Sequence, residues 1–463
     1  MPTYLKPDPH LLDDRPNPLM AIDAHQSIPL QPLIPIGHGK TPMTGWSSHD
    51  ETLTWTIISP RAQAYRVSIL LRSKTATPLI LEITAAGQTL THALPAATTP
   101  WDRFTLDTLL NLPAGQHILA LRIKSATGSG DLAIDLHAVE LTLPATLAKL
   151  AAEAQALRSK QTWFSDAAHG IFVHWTSQSV PSAGNPKPYA DAVRDFDVER
   201  FADQAAQTGC SFVVFTTSHG EMYFPAPLKS LDAIIPGRTA KRDLVPELSA
   251  ALARRNIKLF LYFHLGCEAT WTAISGFYET DSEPYFKKWR SIIEEAGLRY
   301  GPSVAGWWFD DGAVTYLYHR PDWPSLTRAA KAGFHDRLVT YNAWELPSPT
   351  NCMDYHAGEF NEDPIFSGHL APADHGLLPS GPYAGLLASS AFVAENDWVH
   401  TKLNTPIAPI RWTPEQLADL LGGFRAHHAV PIINLMIYQE GAFSESSLQT
   451  FAAACANLKQ SAK

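Results

Sequence analysis

The sequence predicts two domains, an all-β sandwich followed by a (β/α)8 TIM-like barrel of the α/β class. Its 463 residues are more than one hydrophobic core usually supports. Short β-rich runs separated by turn signals such as "TAAGQ" and "ATGSGD" are typical of a sandwich. From residue 164 onward, apolar strands alternate with helical segments, in about seven clear units and one blurred unit, which indicates a parallel barrel.

The domain boundaries follow from these changes of pattern. We expect an extended, Pro-rich lead-in over 1–45, a sandwich over 46–146, a linker helix over 147–163 and the barrel over 164–463. The sandwich resembles carbohydrate-binding modules by pattern, although a purely structural role remains equally open. A doubly wound open sheet is the alternative to the barrel. The sequence has no GxGxxG turn and no GxxxxGK[ST] loop, so no nucleotide cofactor is expected.

Composition and net charge limit the classes of partner that we expect. Hydrophobic residues make up 45% and charged residues 17% of the chain, and the net charge is −9. That charge disfavours nucleic acid and anionic membrane surfaces, and no apolar run is long enough for a membrane span. The N-terminus has no signal-peptide pattern, so the chain as written is cytoplasmic unless a leader was removed, and localisation stays open. The oligomeric state is open as well, a homo-oligomer included.

Polar and aromatic side chains recur where the predicted barrel strands end, which is where barrels carry their functional groups. Paired carboxyl groups suit glycoside hydrolysis, in which one attacks or activates water and the other protonates the leaving oxygen. Aromatic faces and imidazoles suit the binding of a glycan or glycoside. The candidates are Asp310, Glu359 and Glu362 for catalysis, and His174, Trp175, His219, Glu221, Tyr262, His264, Asp311, Asn342, Trp344, His356 and Trp398 for substrate binding.

Each candidate also has an ordinary structural interpretation. A single strand-end histidine is often structural, Trp175 can be a packing residue, and Asp311 can cap the turn before Gly312. The same histidines and carboxylates could bind a metal, as in metal-dependent barrel hydrolases. However, the first strand has no HxH pair and no compact ligand spacing occurs, so we predict no metal.

Several segments resemble glycoside hydrolase family 29, the α-L-fucosidases. "WFSDAAHGIFVHWTSQSVP" (163–181) is similar to the opening motif of that family, and "GWWFDDG" (306–312) is similar to its Trp-Phe-Asp-Gly strand end. "KRDLVPELSAALARRNIKLFLYFHLG" (241–266) and "VPIINLMIYQEGAFSESSLQTFAAACANL" (430–458) resemble further segments of the family, and all of these segments follow one another in the family's order. The resemblance covers about 160–463.

The resemblance implies a retaining, exo-acting hydrolase that releases a terminal sugar. It places the nucleophile on Asp310, which would form a covalent glycosyl-enzyme. It places sugar contacts on His174 and His219, and the acid/base on Glu359 or Glu362, with slight preference for Glu359.

The sequence also departs from the family pattern. "TTSHGEMYF" has Ser218 and Gly220 where the family has a lysine and a second histidine, and "LYFHLG" replaces a Tyr-Ser pair. The sandwich precedes the barrel, whereas the family usually carries it afterwards. These departures leave two alternatives, a hydrolase for a related sugar such as an α-L-galactoside, or a non-catalytic glycan-binding relative with a degenerate barrel.

Overall fold

The computed structural model describes residues 8–27, 30–32, 41–46, 49, 51–96, 98–125, 127, 132–266, 276–344, 346–359, 377–378 and 384–461. It confirms the predicted class, because two antiparallel sheets are followed by one eight-stranded parallel sheet. Among the helices of these ranges, none is both long and apolar enough to cross a membrane.

The sandwich is built from two antiparallel sheets whose inward residues alternate with outward ones. One sheet has the order β10-β6-β12-β4-β3, with β1 paired to β12 and β9 to β6, and the other has the order β2-β5-β11-β7-β8. The strands are β1 Asn17–Met20, β2 His25–Gln26, β3 Gln31–Pro32, β4 Met43–Thr44, β5 Thr52–Ser59, β6 Gln63–Ser73, β7 Leu79–Ala85, β8 Gln88–Leu94, β9 Thr98–Thr105, β10 Leu110–Leu112, β11 Gly115–Ser125 and β12 Ile134–Thr142.

Part of the expected lead-in belongs to the sandwich. Strands β1 to β4 all come from residues 17–44, and β1 pairs antiparallel with β12 from Asn17↔Leu141 to Met20↔Ala138. Strand β12 is buried along its whole length. It therefore needs a partner on each edge, and β6 and β1 supply them. These strands have only two to four residues, too few for a period-two pattern to be visible.

The predicted linker helix is present with shifted ends. Helix α1 spans Pro144–Leu157, and Pro144 occupies a first-turn position where its missing N–H costs nothing. After the helix, the guanidinium of Arg158 donates to the backbone carbonyls of Asn351 and Met353. The segment that follows α1 is therefore already fixed to the barrel.

The barrel sheet has the order β17-β16-β15-β14-β13-β20-β19-β18, with every neighbouring pair parallel. Its strands are β13 Gly170–Val173, β14 Phe212–Thr216, β15 Lys258–His264, β16 Gly306–Asp310, β17 Leu338–Tyr341, β18 Tyr355–His356, β19 Leu387–Val393 and β20 Val430–Asn434. The described helices are α2 Tyr189–Asp195, α3 Val198–Gln207, α4 Lys229–Ile234, α5 Leu244–Ala253, α6 Glu283–Tyr300, α7 Gly312–Tyr318, α8 Trp323–Ala330, α9 Pro414–Ala426 and α10 Glu445–Ser461.

Asp354 joins the two edge strands β17 and β18. Its backbone N–H donates to Val339 O at 2.8 Å, and its Oδ2 accepts from Val339 N at 2.8 Å, which imitates a strand pair. The buried ammonium of Lys331 lies 2.8 Å from the same Oδ2 and balances the charge. Strand β18 itself has only two residues, and the side chain of Asp354 supplies part of its pairing with β17. The sixth strand is therefore hard to recognise from the sequence.

Alternation along the strands separates the barrel interior from the helix-facing layer. Phe172, Tyr262 and Trp308 point into the interior cluster, whereas their strand neighbours pack under the helices. At the amino-terminal end of the barrel, a Cβ on Gly306 would lie 2.4 Å from the ring of Phe260. The glycine therefore makes room for an aromatic plug at that end. The opposite end carries the polar side chains.

The sandwich contacts the barrel through α7, the helix that begins directly after β16. Tyr316 on α7 donates its hydroxyl hydrogen to Glu140 on β12, and its ring stacks on His137 with centroids 5.4 Å apart. Arg103 lies 3.4 Å from the other oxygen of Glu140. Beyond α7, Arg320 donates to His10 O at 2.6 Å. The sandwich thus contacts α7 near its C-terminal end. The N-terminal end of α7 lies at the barrel mouth, by which we mean the end of the barrel where the strands have their carboxyl ends.

We expect Tyr316→Phe to destabilise the protein by about 1–3 kcal/mol, because it removes the closer of two donors to a buried oxygen of Glu140 and leaves only the long contact to Arg103. Chemical denaturation would measure the loss. Tyr223→Phe is the matched control, since it keeps the ring stacked 4.6 Å from Tyr189 and removes a hydroxyl from a half-buried position. Equal losses in the two variants would contradict the importance of the Glu140 contact.

Candidate active site

The carboxyl ends of the barrel strands bring most of the predicted residues together. The parallel register pairs His264 on β15 with Asp310 on β16, so these two side chains are neighbours on one rim. Because Phe172 and Tyr262 point inward, His174 and His264, two residues farther along each strand, point inward as well. The period of two therefore explains why these groups face the barrel interior.

Three hydrogen bonds hold Asp310. Its Oδ1 accepts from Asn342 Nδ2 and from the backbone N–H of Asp311, both at 2.8 Å. Its Oδ2 accepts from the hydroxyl of Tyr262 at 2.6 Å. The side chain keeps 14% of its accessible surface. Asp310 is therefore an oriented carboxylate that a small molecule in the barrel mouth can still reach.

Glu359 lies beside it and shares the same amide. Its Oε1 accepts from Asn342 Nδ2 at 2.5 Å, and a backbone bridge to Ala391 fixes its position after β18. Burial, followed by the negative charge of Asp310, raises the pKa of Glu359 to about 8, against the opposing effect of the Asn342 hydrogen bond. At neutral pH the site therefore contains a carboxylic acid next to Asp310.

His264 connects Asp311 to Tyr262. Its Nδ1 lies 3.0 Å from Asp311 Oδ2, and its Nε2 lies 2.9 Å from the hydroxyl oxygen of Tyr262. Asp311 adopts a left-handed backbone conformation with φ of 60°. Its side chain thereby turns towards His264 while its backbone N–H turns towards Asp310. The sequence predicted these residues but not this chain of contacts.

His174 has a defined tautomer. Asn434 at the end of β20 donates from its Nδ2 to Trp398 O at 3.1 Å, so its Oδ1 must be the atom that accepts from His174 Nδ1 at 2.8 Å. The hydrogen is therefore on Nδ1, and Nε2 of His174 is an acceptor. Burial, and then the neighbouring His219, lowers the pKa of His174 well below its ordinary value. Asn434 was missing from the predicted set, although its position at a strand end was a usable signal.

His219 and two tryptophans complete the mouth. The ring centroid of His219 lies 5.5 Å from that of His174 and 5.1 Å from that of His264. Burial, followed by the charge of His264, lowers the pKa of His219 to about 4. Trp398 lies 4.9 Å from the His174 ring, and Trp344 donates its backbone N–H to Asn342 Oδ1. Both tryptophans are partly exposed.

Other predicted residues are not in this cluster. Trp175 is 1% exposed, packs on Tyr189 and Phe196 and donates to Gln439 O, so it has no face to offer a sugar. It follows the inward His174 and therefore points into the helix layer.

His356 is excluded by the same alternation. It lies between Tyr355 and Ala357, which both belong to the interior cluster, so its own side chain faces the other way. Glu221 lies on the rim, where it accepts from Ser177 and keeps 46% of its side-chain surface. Glu362, the second candidate acid, lies outside the described residues.

Among the described residues, the ligand atoms of His264, Asp310 and Asp311 all lie within 4.8 Å of one another, which is close enough to surround a cation. Those atoms already exchange hydrogen bonds with each other, with Tyr262 and with Asn342. We therefore interpret the group as a hydrogen-bonded network.

We expect Glu359→Gln to remove part of the pH dependence of stability. An unfolded glutamate ionises near pH 4.5, whereas folded Glu359 keeps its proton up to about pH 8. The folded state binds more protons in this window, so the free energy of unfolding of the wild type falls as pH rises through it. Denaturation at a series of pH values should show the wild type losing roughly 1–3 kcal/mol more than the variant.

Glu395 provides the control for this experiment. Burial raises its pKa to about 7, and it accepts from Met436 N and Ser447 Oγ, away from the Asp310 cluster. Glu395→Gln should remove a separate contribution at lower pH. A difference between wild type and Glu359→Gln that does not change with pH would contradict the raised pKa.

Comparison with known proteins places this site in context. Residues 188–362 match the family model described as Alpha-L-fucosidase. The chain is 33% identical over 263 residues to tissue alpha-L-fucosidase from Bos taurus, covering 47% of this chain and 52% of the relative. It is 33% identical over 261 residues to tissue alpha-L-fucosidase from Rattus norvegicus, covering 46% and 52%. The chain thus spans about half the length of these relatives.

Among solved structures, the fold is similar to alpha-L-fucosidase AlfC from Lactobacillus casei in complex with alpha-L-fucose product. The sequence identity is 16% and the TM-score is 0.44, over 65% of this chain and 98% of that chain.

Proposed function

We propose that this chain is a retaining, exo-acting glycoside hydrolase of the alpha-L-fucosidase family that removes α-L-fucose or a closely related sugar. Asp310 is the proposed nucleophile and Glu359 the proposed acid/base. The alternatives are a related sugar, such as an α-L-galactoside, and a glycan-binding protein without activity.

The observation that carries the proposal is the amide bridge between the two carboxyl groups. Asn342 Nδ2 donates to Asp310 at 2.8 Å and to Glu359 at 2.5 Å. The two acceptor oxygens can therefore be no farther apart than these two bonds together. That limit is compatible with the separation of about 5–5.5 Å between the carboxyl groups of retaining glycosidases and lies below the separation of about 6.5–9.5 Å in inverting ones.

In the first step, an oxygen of Asp310 attacks the anomeric carbon of the sugar. The bond from that carbon to the leaving oxygen breaks, and Glu359 transfers its proton to the leaving oxygen. The raised pKa of Glu359 keeps this proton available at neutral pH. The products of the step are a glycosyl ester on Asp310, an ionised Glu359 and the free aglycone.

In the second step, the roles reverse. Ester formation removes the negative charge of Asp310, which is one of the causes that raise the pKa of Glu359. Glu359 therefore becomes a better-stabilised carboxylate once the ester is present. It takes a proton from a water that attacks the anomeric carbon, and Asp310 leaves as a carboxylate. The configuration at the anomeric carbon is retained.

The mouth supplies groups for holding a sugar. The Nε2 of His174 is an acceptor for a hydroxyl hydrogen, because Asn434 fixes the hydrogen on Nδ1. Trp398 lies against His174 and offers an aromatic face to the C–H side of a sugar ring. Ser218 is buried next to His219, at the position where the family pattern has lysine. This exchange supports testing sugars related to fucose alongside fucose itself.

We expect Asp310→Asn to lower the hydrolysis of aryl glycosides by about 10³-fold or more, as loss of a nucleophile does. The panel should be led by the aryl α-L-fucoside and include the α-L-galactoside. Asp166→Asn is the matched control, since Asp166 is exposed at the amino-terminal end of the barrel. A 2-fluoro glycoside should leave one sugar on a peptide containing Asp310. Equal activity of wild type and Asp310→Asn would refute the assignment.

The leaving group distinguishes the two candidate acids. Glu359→Gln should slow hydrolysis of a glycoside with a poor leaving group far more than that of a glycosyl fluoride, because fluoride departs without a proton. Azide should restore turnover with the fluoride and give a glycosyl azide. Glu362→Gln, compared in the same assays, should behave like wild type. If the two variants exchange these behaviours, Glu362 is the acid/base.

A further inference from the structure

Four side chains form one continuous path from a buried carboxylate to the proposed nucleophile. Asp311 Oδ2 lies 3.0 Å from His264 Nδ1, His264 Nε2 lies 2.9 Å from the hydroxyl oxygen of Tyr262, and that hydroxyl lies 2.6 Å from Asp310 Oδ2. His264 and Asp311 are 7% and 4% exposed. Water therefore competes little for these contacts.

The number of hydrogens in the path determines the state of His264. The hydroxyl of Tyr262 has one hydrogen, and the short contact to Asp310 places it there. The contact between Tyr262 and His264 Nε2 then needs a hydrogen on Nε2. The contact between His264 Nδ1 and Asp311 needs a second hydrogen on Nδ1. With Asp310 and Asp311 as carboxylates, which have no hydrogen to donate, all three contacts are hydrogen bonds only when His264 is the doubly protonated imidazolium.

The surrounding charges favour a positive charge on His264 over a positive charge on His174 or His219. The charged and titratable groups around it are Asp310 and Asp311 after β16, Tyr262 on its own strand, His219 after β14, His174 after β13, and Glu359 after β18. Burial, and then His219, lowers the pKa of His174, and the ring centroid of His219 lies 5.1 Å from that of His264, where a second positive charge is unfavourable.

The backbone around Asp311 is adapted to this contact. Its φ of 60° lies in the left-handed region, which is unfavourable for a residue with a Cβ. A Cβ on Gly266 would lie 2.5 Å from the Cβ of Asp311, so glycine there makes room for the Asp311 side chain. A residue in a strained conformation, facing a glycine that accommodates it, is consistent with a defined role for its carboxylate.

We propose that Asp311 holds His264 as an imidazolium, and that His264 thereby fixes the hydroxyl hydrogen of Tyr262 on Asp310. His264 and Asp311 are positioning residues that act through Tyr262. The proposal rests on the proposed function of Asp310 as nucleophile and adds the element that controls it. The fixed hydrogen bond orients Asp310 for attack, and it stabilises Asp310 as the carboxylate that leaves when the glycosyl ester is hydrolysed.

The first experiment measures the protonation state of His264 directly and needs no substrate. Nitrogen-15 NMR of histidine-labelled full-length protein at pH 7 distinguishes an imidazolium from either neutral tautomer. His264→Asn identifies the signals by their disappearance, since the chain has 19 histidines. We expect imidazolium signals for His264 in the wild type and neutral signals in Asp311→Asn. A neutral His264 in the wild type, or an imidazolium that persists in Asp311→Asn, overturns the proposal.

The second experiment tests the effect on Asp310 by comparing two substitutions. Gln at 264 can place its amide nitrogen near the position of Nε2 and donate to Tyr262, whereas Asn at 264 can reach only towards Asp311. We expect His264→Asn to slow hydrolysis of the glycosyl ester about 10- to 100-fold, lowering kcat and KM together, and His264→Gln to recover part of kcat. A merely structural role would lower stability in both variants without this recovery, and equal kinetics of the two variants would overturn the proposal.

The two experiments separate this proposal from the proposed function. If no glycoside in the panel is cleaved by wild type, the hydrolase assignment fails, while the NMR measurement still decides the state of His264. If Asp310→Asn abolishes activity and His264 is neutral at pH 7, the hydrolase assignment stands and the positioning proposal fails. Thermal unfolding of each variant shows whether a kinetic loss reflects unfolding.

Discussion

The amide of Asn342 is the constraint on which the site depends. One nitrogen donates to Asp310 and to Glu359, so two carboxyl groups share a buried space where both cannot ionise without strong repulsion. The repulsion is relieved when one of them keeps its proton, and burial assigns that proton to Glu359. Asn342 follows β17 directly, and its own N–H donates to Phe309 O on β16. The register of two neighbouring strands thus places the amide that both carboxyl groups share.

The same region is linked mechanically to the sandwich. Helix α7 begins at Gly312, immediately after the two aspartates, and Ala313 N donates to Asn342 O. Near the C-terminal end of α7, the hydroxyl of Tyr316 donates to Glu140 on β12 of the sandwich. Helix α7 therefore connects β12 to the residues that hold Asp310. This arrangement gives the sandwich a structural connection to the barrel mouth, whether or not it binds carbohydrate.

The sequence was sufficient for the fold class and for most of the rim, and the exceptions have physical causes. Asp310 could be found because an aromatic strand ends on it. Trp175 and His356 were misplaced because strand-end position was considered without alternation, which turns each of them away from the interior. The strands from the expected lead-in were too short to show a period. The contact between Asp311 and His264 depends on a left-handed residue, and no periodic pattern predicts where such a side chain points.

The charge states of the three histidines of the barrel mouth, His174, His219 and His264, depend on the groups that contact each ring. The rings lie within about 5–6 Å of their neighbours, a range in which positive charges disfavour one another. His174 contacts an amide oxygen, which accepts a hydrogen but contributes no net charge. His264 contacts a carboxylate on one side and a phenol that is bonded to a carboxylate on the other. Of the three rings, only that of His264 contacts a carboxylate through Nδ1 and, by way of the Tyr262 hydroxyl, a second carboxylate through Nε2. A single positive charge in this cluster is therefore most stable on His264. The neutral rings of His174 and His219 then remain able to accept hydrogen bonds from the hydroxyl groups of a sugar.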